Sequence, residues 1–204
     1  MRPLTALALT LLLLLPARPA PADTTAEPAI GRLNHAAFRD KRHCTMAAIS
    51  PRGVATAAHC LRRLEAGDVH LLFGFDTMGY THHTRPVSAH ALGGDLAVLC
   101  LGEGDAAPAH LRVAATPPKP GDAVRVTGYA RPKVQRQHEH ACHVAAAGAR
   151  IVIDCEVLEG GSGAPVRNAA GEVVAVVSSR RPGATTAIPL PPAAAALCES
   201  GPAK

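Results

Sequence analysis

Seven short apolar runs punctuate the chain: Thr45 to Ile49, Val54 to Ala58, Val69 to Phe75, Leu96 to Leu101, Ala123 to Val126, Arg150 to Ile153 and Val173 to Val177. Clusters of Gly, Pro, Asp or His bound each run, and helical periodicity is scarce. Many short strands separated by turn formers predict a sandwich or barrel. Two helices are predicted beside them. One starts near Ala57 and runs through Leu61-Arg62-Arg63-Leu64. The other is the tail, where Pro191-Pro192 precede Ala193 to Leu197, because proline near the first turn followed by alanine starts a helix well. A hairpin turn is expected at Ala146-Ala147-Gly148. Three prolines in the segment Thr116 to Gly121 predict an extended linker over 116–120. It divides the chain into β-units at 23–115 and 121–204.

Composition narrows the class. The 204 residues are 48% hydrophobic but only 2% aromatic, with no Trp, three Phe and two Tyr, so Val, Leu, Ile and Ala must build the core. With 18 Gly and 18 Pro, breakers are too frequent for a coiled coil, and the apolar content is too high for disorder.

The N-terminus reads as an address. Arg2 gives a positive start, Leu4 to Leu15 is an apolar run of 12, and Ala20-Pro21-Ala22 closes it with small residues. This is a signal-peptide pattern over 1–22, with cleavage after Ala22. The run is too short to span a bilayer, which takes about 20 residues. Removing Arg2 and Arg18 lowers the net charge from +5 to +3. No basic stripe with interleaved aromatics remains, so a nucleic-acid partner is not expected. Export also explains the cysteines. Six, at positions 44, 60, 100, 142, 155 and 198, suggest three disulfides in an oxidising compartment, with 15 pairings open.

Three separated signals carry chemistry. Thr56-Ala57-Ala58-His59-Cys60 places a histidine at the end of an apolar run. Asp95 opens the run Leu96 to Leu99 after Gly93-Gly94. Gly160-Gly161-Ser162-Gly163-Ala164-Pro165 sets a serine in a loop whose glycines let backbone N–H groups converge. Acyl transfer by serine needs a base, an acid to orient it and donors for the oxyanion. All are present, in the order His, Asp, Ser, which differs from the α/β-hydrolases and from subtilisin.

On these three boxes the chain resembles the trypsin-like serine proteases of the chymotrypsin fold, and among them the small bacterial secreted members. The resemblance covers most of residues 40 to 190. It implies an all-β fold of two antiparallel six-stranded β-barrels with a short C-terminal helix, and a site in the cleft between them. It implies a secreted or periplasmic serine endopeptidase with Ser162 as nucleophile, His59 as base and then acid, and Asp95 as orienting carboxylate. The N–H groups of Gly160 and Ser162 would form the oxyanion hole. The same resemblance implies disulfides Cys44–Cys60 and Cys142–Cys155. Cys100 and Cys198 then remain, either as a third disulfide that staples the C-terminal helix to the first barrel or as a buried pair of free thiols. It implies a peptide or protein substrate, no cofactor, no metal, no membrane partner after signal removal, and a monomer.

Departures from the family bear on specificity and activation. Val177-Ser178-Ser179-Arg180 resembles the strand that pairs with substrate backbone, but Arg180 stands where trypsin-like enzymes keep a glycine. Glu156, six residues before Ser162, falls near the base of the pocket for the P1 residue, the substrate residue whose carbonyl is attacked. Glu156, Ser178 and Arg180 are thus candidate substrate contacts, with the sign of any charge preference open. Ile30-Gly31 resembles the start of a processed protease, yet Gly161 stands where the family's activating aspartate precedes the serine. Competence without an activation cut is therefore expected. Two further classes stay open from sequence: a catalytically silent peptide-binding module of the same fold, and a metal-binding protein using His138, His140 and His143 beside Glu139. A solvated polar hairpin is the simpler account of that histidine cluster.

Overall fold

The computed structural model describes residues 26–35, 43–62, 64–77 and 79–199. The expected signal peptide at 1–22 and its cleavage point after Ala22 lie outside the described residues.

Thirteen antiparallel strands form two units. The first contains β1 (Ile30–Asn34), β2 (His43–Ala48), β3 (Gly53–Ala57), β4 (His70–Phe73), β5 (His82–Thr84), β6 (Ser88–Gly93) and β7 (Leu96–Cys100). They form one sheet in the order β5-β4-β1-β2-β3-β7-β6. The second contains β8 (Ala123–Gly128), β9 (His138–Ala146), β10 (Ile151–Ile153), β11 (Pro165–Arg167), β12 (Val173–Arg181) and β13 (Ala184–Pro189), closed into a barrel in the order β10-β13-β12-β11-β8-β9.

Three expectations need correction. The first unit is an open sheet of seven strands rather than a six-stranded barrel, because β5 and β6 do not pair. β5 stops at Thr84, whose hydroxyl bonds Asp105. Pro86 then offers no N–H, and the Val87 N–H is already given to Cys100 O, which draws the chain onto β7. The C-terminal helix is only a 3₁₀ turn, Pro192–Ala196. Five residues are too few to recover the cost of nucleating an α-helix, and Cys198 must reach Cys100 just beyond. The histidine-box helix is likewise a 3₁₀ turn, Ala58–Leu61.

Apolar side chains from alternate positions fill both units. Leu33, Met46, Val54, Leu71, Phe73 and Leu99 pack behind the sheet. Val126, Val144, Ile151, Ile153, Val166 and Val177 fill the barrel. A third cluster joins them, with Ile49, Ala55 and Val98 of the sheet side meeting Val173, Val176 and Ile188 of the barrel. This seam fixes the sheet against the barrel and so sets the geometry of the cleft.

Candidate active site

β3 is buried throughout and runs directly into the 3₁₀ turn that carries His59. Cys60 in that turn is bonded to Cys44 on β2. β3 pairs with β7 in the register Ala57↔Leu96, and Ala58 N–H donates to Asp95 O at 3.0 Å. Neighbouring strands therefore deliver the histidine and the acid to one corner. His59 backbone N–H donates to Asp95 Oδ1 at 2.8 Å, and its ring Nδ1 lies 2.8 Å from Oδ2. With the carboxylate accepting at Nδ1, the neutral ring keeps its lone pair on Nε2.

Asp95 adopts φ +84°, after Gly93 at +84° and Gly94 at +61°. A non-glycine residue there is strained. The strain turns the carboxylate back over the histidine turn. Burial pushes the Asp95 carboxyl up. Hydrogen bonds from Ser178, from the His59 ring and from the His59 backbone outweigh it and hold the group below its ordinary value. The Ser178 hydroxyl donates to Asp95 Oδ2 at 2.5 Å. Ser178 occupies the bulge in β12 where the register slips between Val177 and Ser179, and such bulges re-aim side chains. Its side chain is directed at the acid.

Ser162 is half-buried in the loop between β10 and β11. Two sides clamp that loop. From the sheet, Thr45 N–H donates to Ser162 O at 2.8 Å and Thr45 Oγ1 to Gly160 O at 2.8 Å. From the barrel, Gly163 N–H donates to Val177 O at 2.8 Å and Val177 N–H to Ala164 O at 2.9 Å. Gly163, at φ +85°, lies so close that a Cβ there would collide with Thr45 O and Thr56 Oγ1. Thr56 is three residues before His59, so this contact sets the serine loop at the end of β3. Gly160, at φ +92°, is similarly pressed against His43 and Tyr129 O. Among the described residues the N–H groups of Gly160 and Ser162 donate to no protein acceptor, whereas those of Gly161, Gly163 and Ala164 are all used.

The remaining candidates fall in two places. Arg180 Nη1 donates to Glu156 Oε1 at 2.9 Å at the exposed end of β12. The histidine cluster splits by strand alternation. His138 and His140 are half-buried with rings 4.9 Å apart, while Glu139 points outward to Arg167 and His143 lies 3.4 Å from Asp154. Burial first, then His138, pushes the His140 imidazole down. The grouping of Cys44, Cys60 and His59 offers no thiolate, since both sulfurs are in a disulfide. The other bridges are Cys142–Cys155 and Cys100–Cys198.

Thr45 is the functional residue that the sequence did not signal. Besides holding the serine loop, its hydroxyl accepts from Tyr129 N–H at 3.0 Å, and its carbonyl accepts from Thr56 Oγ1 at 3.0 Å. Nothing in a threonine near the start of an apolar run announces three contacts so far apart in sequence.

A family model for the trypsin-like peptidase domain matches residues 44–176. A search of curated proteins finds no match. Solved structures share the fold at low identity. An inactive form of Rv3671c from M. tuberculosis H37Rv is 20% identical with TM-score 0.62, over 79% of this chain and 81% of that one. The thermostable serine protease AL20 from an extremophilic microorganism is 17% identical with TM-score 0.66, over 79% and 91%. Protease Anisep from Arthrobacter nicotinovorans is 14% identical with TM-score 0.68, over 84% and 97%.

Proposed function

The chain belongs to the trypsin-like peptidase family and is a serine endopeptidase, and we propose that it is an exported one that cuts peptide bonds through an acyl-enzyme on Ser162. The hydrogen-bond chain from Ser178 through Asp95 to His59, set beside a clamped serine loop, carries this reading. Ser162 Oγ attacks the scissile carbonyl carbon while His59 Nε2 takes its proton. The oxyanion is held by the N–H groups of Gly160 and Ser162, which donate to no protein acceptor among the described residues. The tetrahedral intermediate collapses, His59 returns the proton to the departing amine, and the acyl group stays on Ser162. Water then attacks the acyl carbon as His59 takes its proton, and the acyl–Oγ bond breaks as His59 returns that proton to Ser162 Oγ, which releases the acid. Asp95 holds the ring and offsets the positive charge that forms on it.

The free edge of β12 supports a peptide substrate. β11 pairs with β12 only through Val176, so from Ser178 to Arg181 β12 is bonded to β13 alone. An extended chain can add to that edge as a strand. In this account residues 23–115 supply His59 and Asp95, residues 121–204 supply Ser162, and 116–120 join them. Segment 1–22 directs export and is removed, and the mature enzyme acts in a secreted or periplasmic compartment as a monomer. Three disulfides fit that compartment. Among the described residues no helix is long and apolar enough to cross a membrane.

No activation cut is required. Gly161 is buried, and a Cβ there would collide with Val157 and come within 3.3 Å of Ala130, so the loop has no room for an acid at that position. Ile30 is held inside the sheet, paired with Ala47 and donating its N–H to Glu27 O at 3.0 Å. The test is hydrolysis of casein and of peptide esters by residues 23–204 without further processing. Ser162→Ala is expected to lower turnover about 10⁶-fold with an unchanged circular dichroism spectrum. Retention of more than a few per cent of activity would assign the nucleophile elsewhere.

A further inference from the structure

We infer that the Glu156–Arg180 ion pair caps the site for the P1 side chain and makes this a peptidase for uncharged P1 residues. The inference rests on Ser162 being the nucleophile.

The position follows from the strands. Val177 is bonded to Gly163 and Ala164, so the end of β12 lies alongside the serine loop. Glu156 is six residues before Ser162, and Arg180 is two residues past Ser178. In this inference a side chain entering from a carbonyl at Ser162 passes between these two segments, which the ion pair joins at 2.9 Å. The second carboxylate oxygen accepts from Gly183 N–H at 3.5 Å in the β12–β13 turn. Both oxygens are therefore engaged from the same hairpin. Val157, the next residue after Glu156, is buried and its N–H donates to Thr185 Oγ1 at 2.8 Å. Thr185 is the cross-strand partner of Arg180, so both ends of the ion pair are tied to the β12–β13 hairpin.

Charge decides the class. A lysine or arginine at P1 finds the Glu156 carboxylate already satisfied and the Arg180 guanidinium beside it. A glutamate at P1 meets the opposite arrangement. Either ion must break the existing pair and leave the like charge facing it. Glu159, between Glu156 and Ser162 in the chain, is likewise paired, with Arg131 at 3.2 Å. An uncharged P1 residue breaks nothing. The side chains of Arg180 and Glu156 are 45% and 33% exposed, so the discrimination is that of a surface pair rather than a buried one.

The experiment is a panel of tetrapeptide 4-nitroanilides differing only at P1 (Ala, Val, Leu, Lys, Glu), run on the wild type, Glu156→Gln, Arg180→Ala and the swapped pair Glu156→Arg/Arg180→Glu. In the wild type the best uncharged P1 residue should exceed both Lys and Glu in kcat/KM by at least about fivefold. Glu156→Gln frees the guanidinium and should raise the Glu:Ala ratio by a similar factor. Arg180→Ala frees the carboxylate and should raise the Lys:Ala ratio. The swapped pair should return to the wild-type order. A wild type that cleaves a charged P1 residue best, or single variants whose ratios do not move, would overturn the inference. A fluorophosphonate adduct mapped to Ser162 in the same preparations separates this failure from the other. If Ser162 is labelled and the ratios stay flat, only the cap is wrong. If the wild type is not labelled there, the catalytic reading is wrong and the cap falls with it.

Discussion

Asp95 receives three hydrogen bonds, and each has a different job. The His59 ring bond sets the base, the His59 N–H bond fixes the turn that carries it, and the Ser178 bond holds the carboxylate itself. Together they keep the carboxyl ionised against the opposing effect of burial. Ser178 is therefore a positioning residue, acting on the reaction through Asp95. Ser178→Ala removes one charge-assisted bond, of the kind that contributes about 1.5–3 kcal/mol. The expected outcome is a fall in kcat of about tenfold with KM little changed, and an acid limb of the pH–rate profile displaced from that of the wild type. Steady-state kinetics across pH checks it, and Ser178→Thr should recover part of the loss. A change confined to KM would instead place Ser178 on the substrate. The sequence offered Ser178 only as part of a strand resembling a substrate contact, because the bulge that turns its side chain is a property of the β12–β13 register.

Among the elements, apolar strands were the legible ones. β2, β3, β4, β7, β8, β10 and β12 each coincide with most of one of the apolar runs, because their residues are largely apolar and lie against a core. β5 contains none of the apolar runs, since His82-His83 occupy most of it, and β9 was legible only as an arm of the polar hairpin around His138, Glu139 and His140. In β1 and β13 the polar residues Arg32, Thr185 and Thr186 interrupt the pattern although all are buried. Arg32 is stacked over Phe75 at 4.6 Å and donates to Val134 O at 3.1 Å, partners that no local pattern discloses. The polar β4–β5 ribbon carries its own pH dependence. Arg85 donates to His70 Nε2 at 3.3 Å, and His70 Nδ1 in turn donates to His83 Nε2 at 2.9 Å, a chain that requires both rings neutral. Burial, then Arg85, lowers both imidazoles below the ordinary 6.5. Their folded values lie below the unfolded ones, so the unfolded chain binds more protons. The ribbon's contribution is full above pH 6.5 and is lost as pH falls toward the lowered folded values. Urea unfolding between pH 7 and pH 5 should show this decline, and His70→Gln/His83→Gln should flatten it. A wild-type slope equal to that of the double variant would contradict the assignment.

At the scale of the whole molecule, the site is a junction between two units that do not share a sheet. The sheet brings His59 and Asp95, the barrel brings the serine loop, and the seam around Ile49, Val98, Val176 and Ile188 holds one against the other. Cys100–Cys198 ties the C-terminal turn to β7 across 98 residues, helped by Ser50 and Arg52, which hold Glu199. A loop of that length stabilises by about 4–5 kcal/mol in the chain-entropy model. Cys100→Ala/Cys198→Ala should lose most of that in chemical unfolding while the folded fraction keeps its kcat. The three chemical motifs are separate signals in the residues, and only the family resemblance joined them into one site; the contacts that hold the serine loop there, through Thr45 and Thr56, link strands of the sheet to a loop more than a hundred residues later and carry no local signal.

The most direct measurement is a peptide map of the protein after reaction with a fluorophosphonate. The account predicts one adduct, on Ser162, that forms with the chain beginning at residue 23 and is abolished by His59→Ala. Absence of an adduct, an adduct on another residue, or labelling of Ser162 that persists at the wild-type rate in His59→Ala would contradict it.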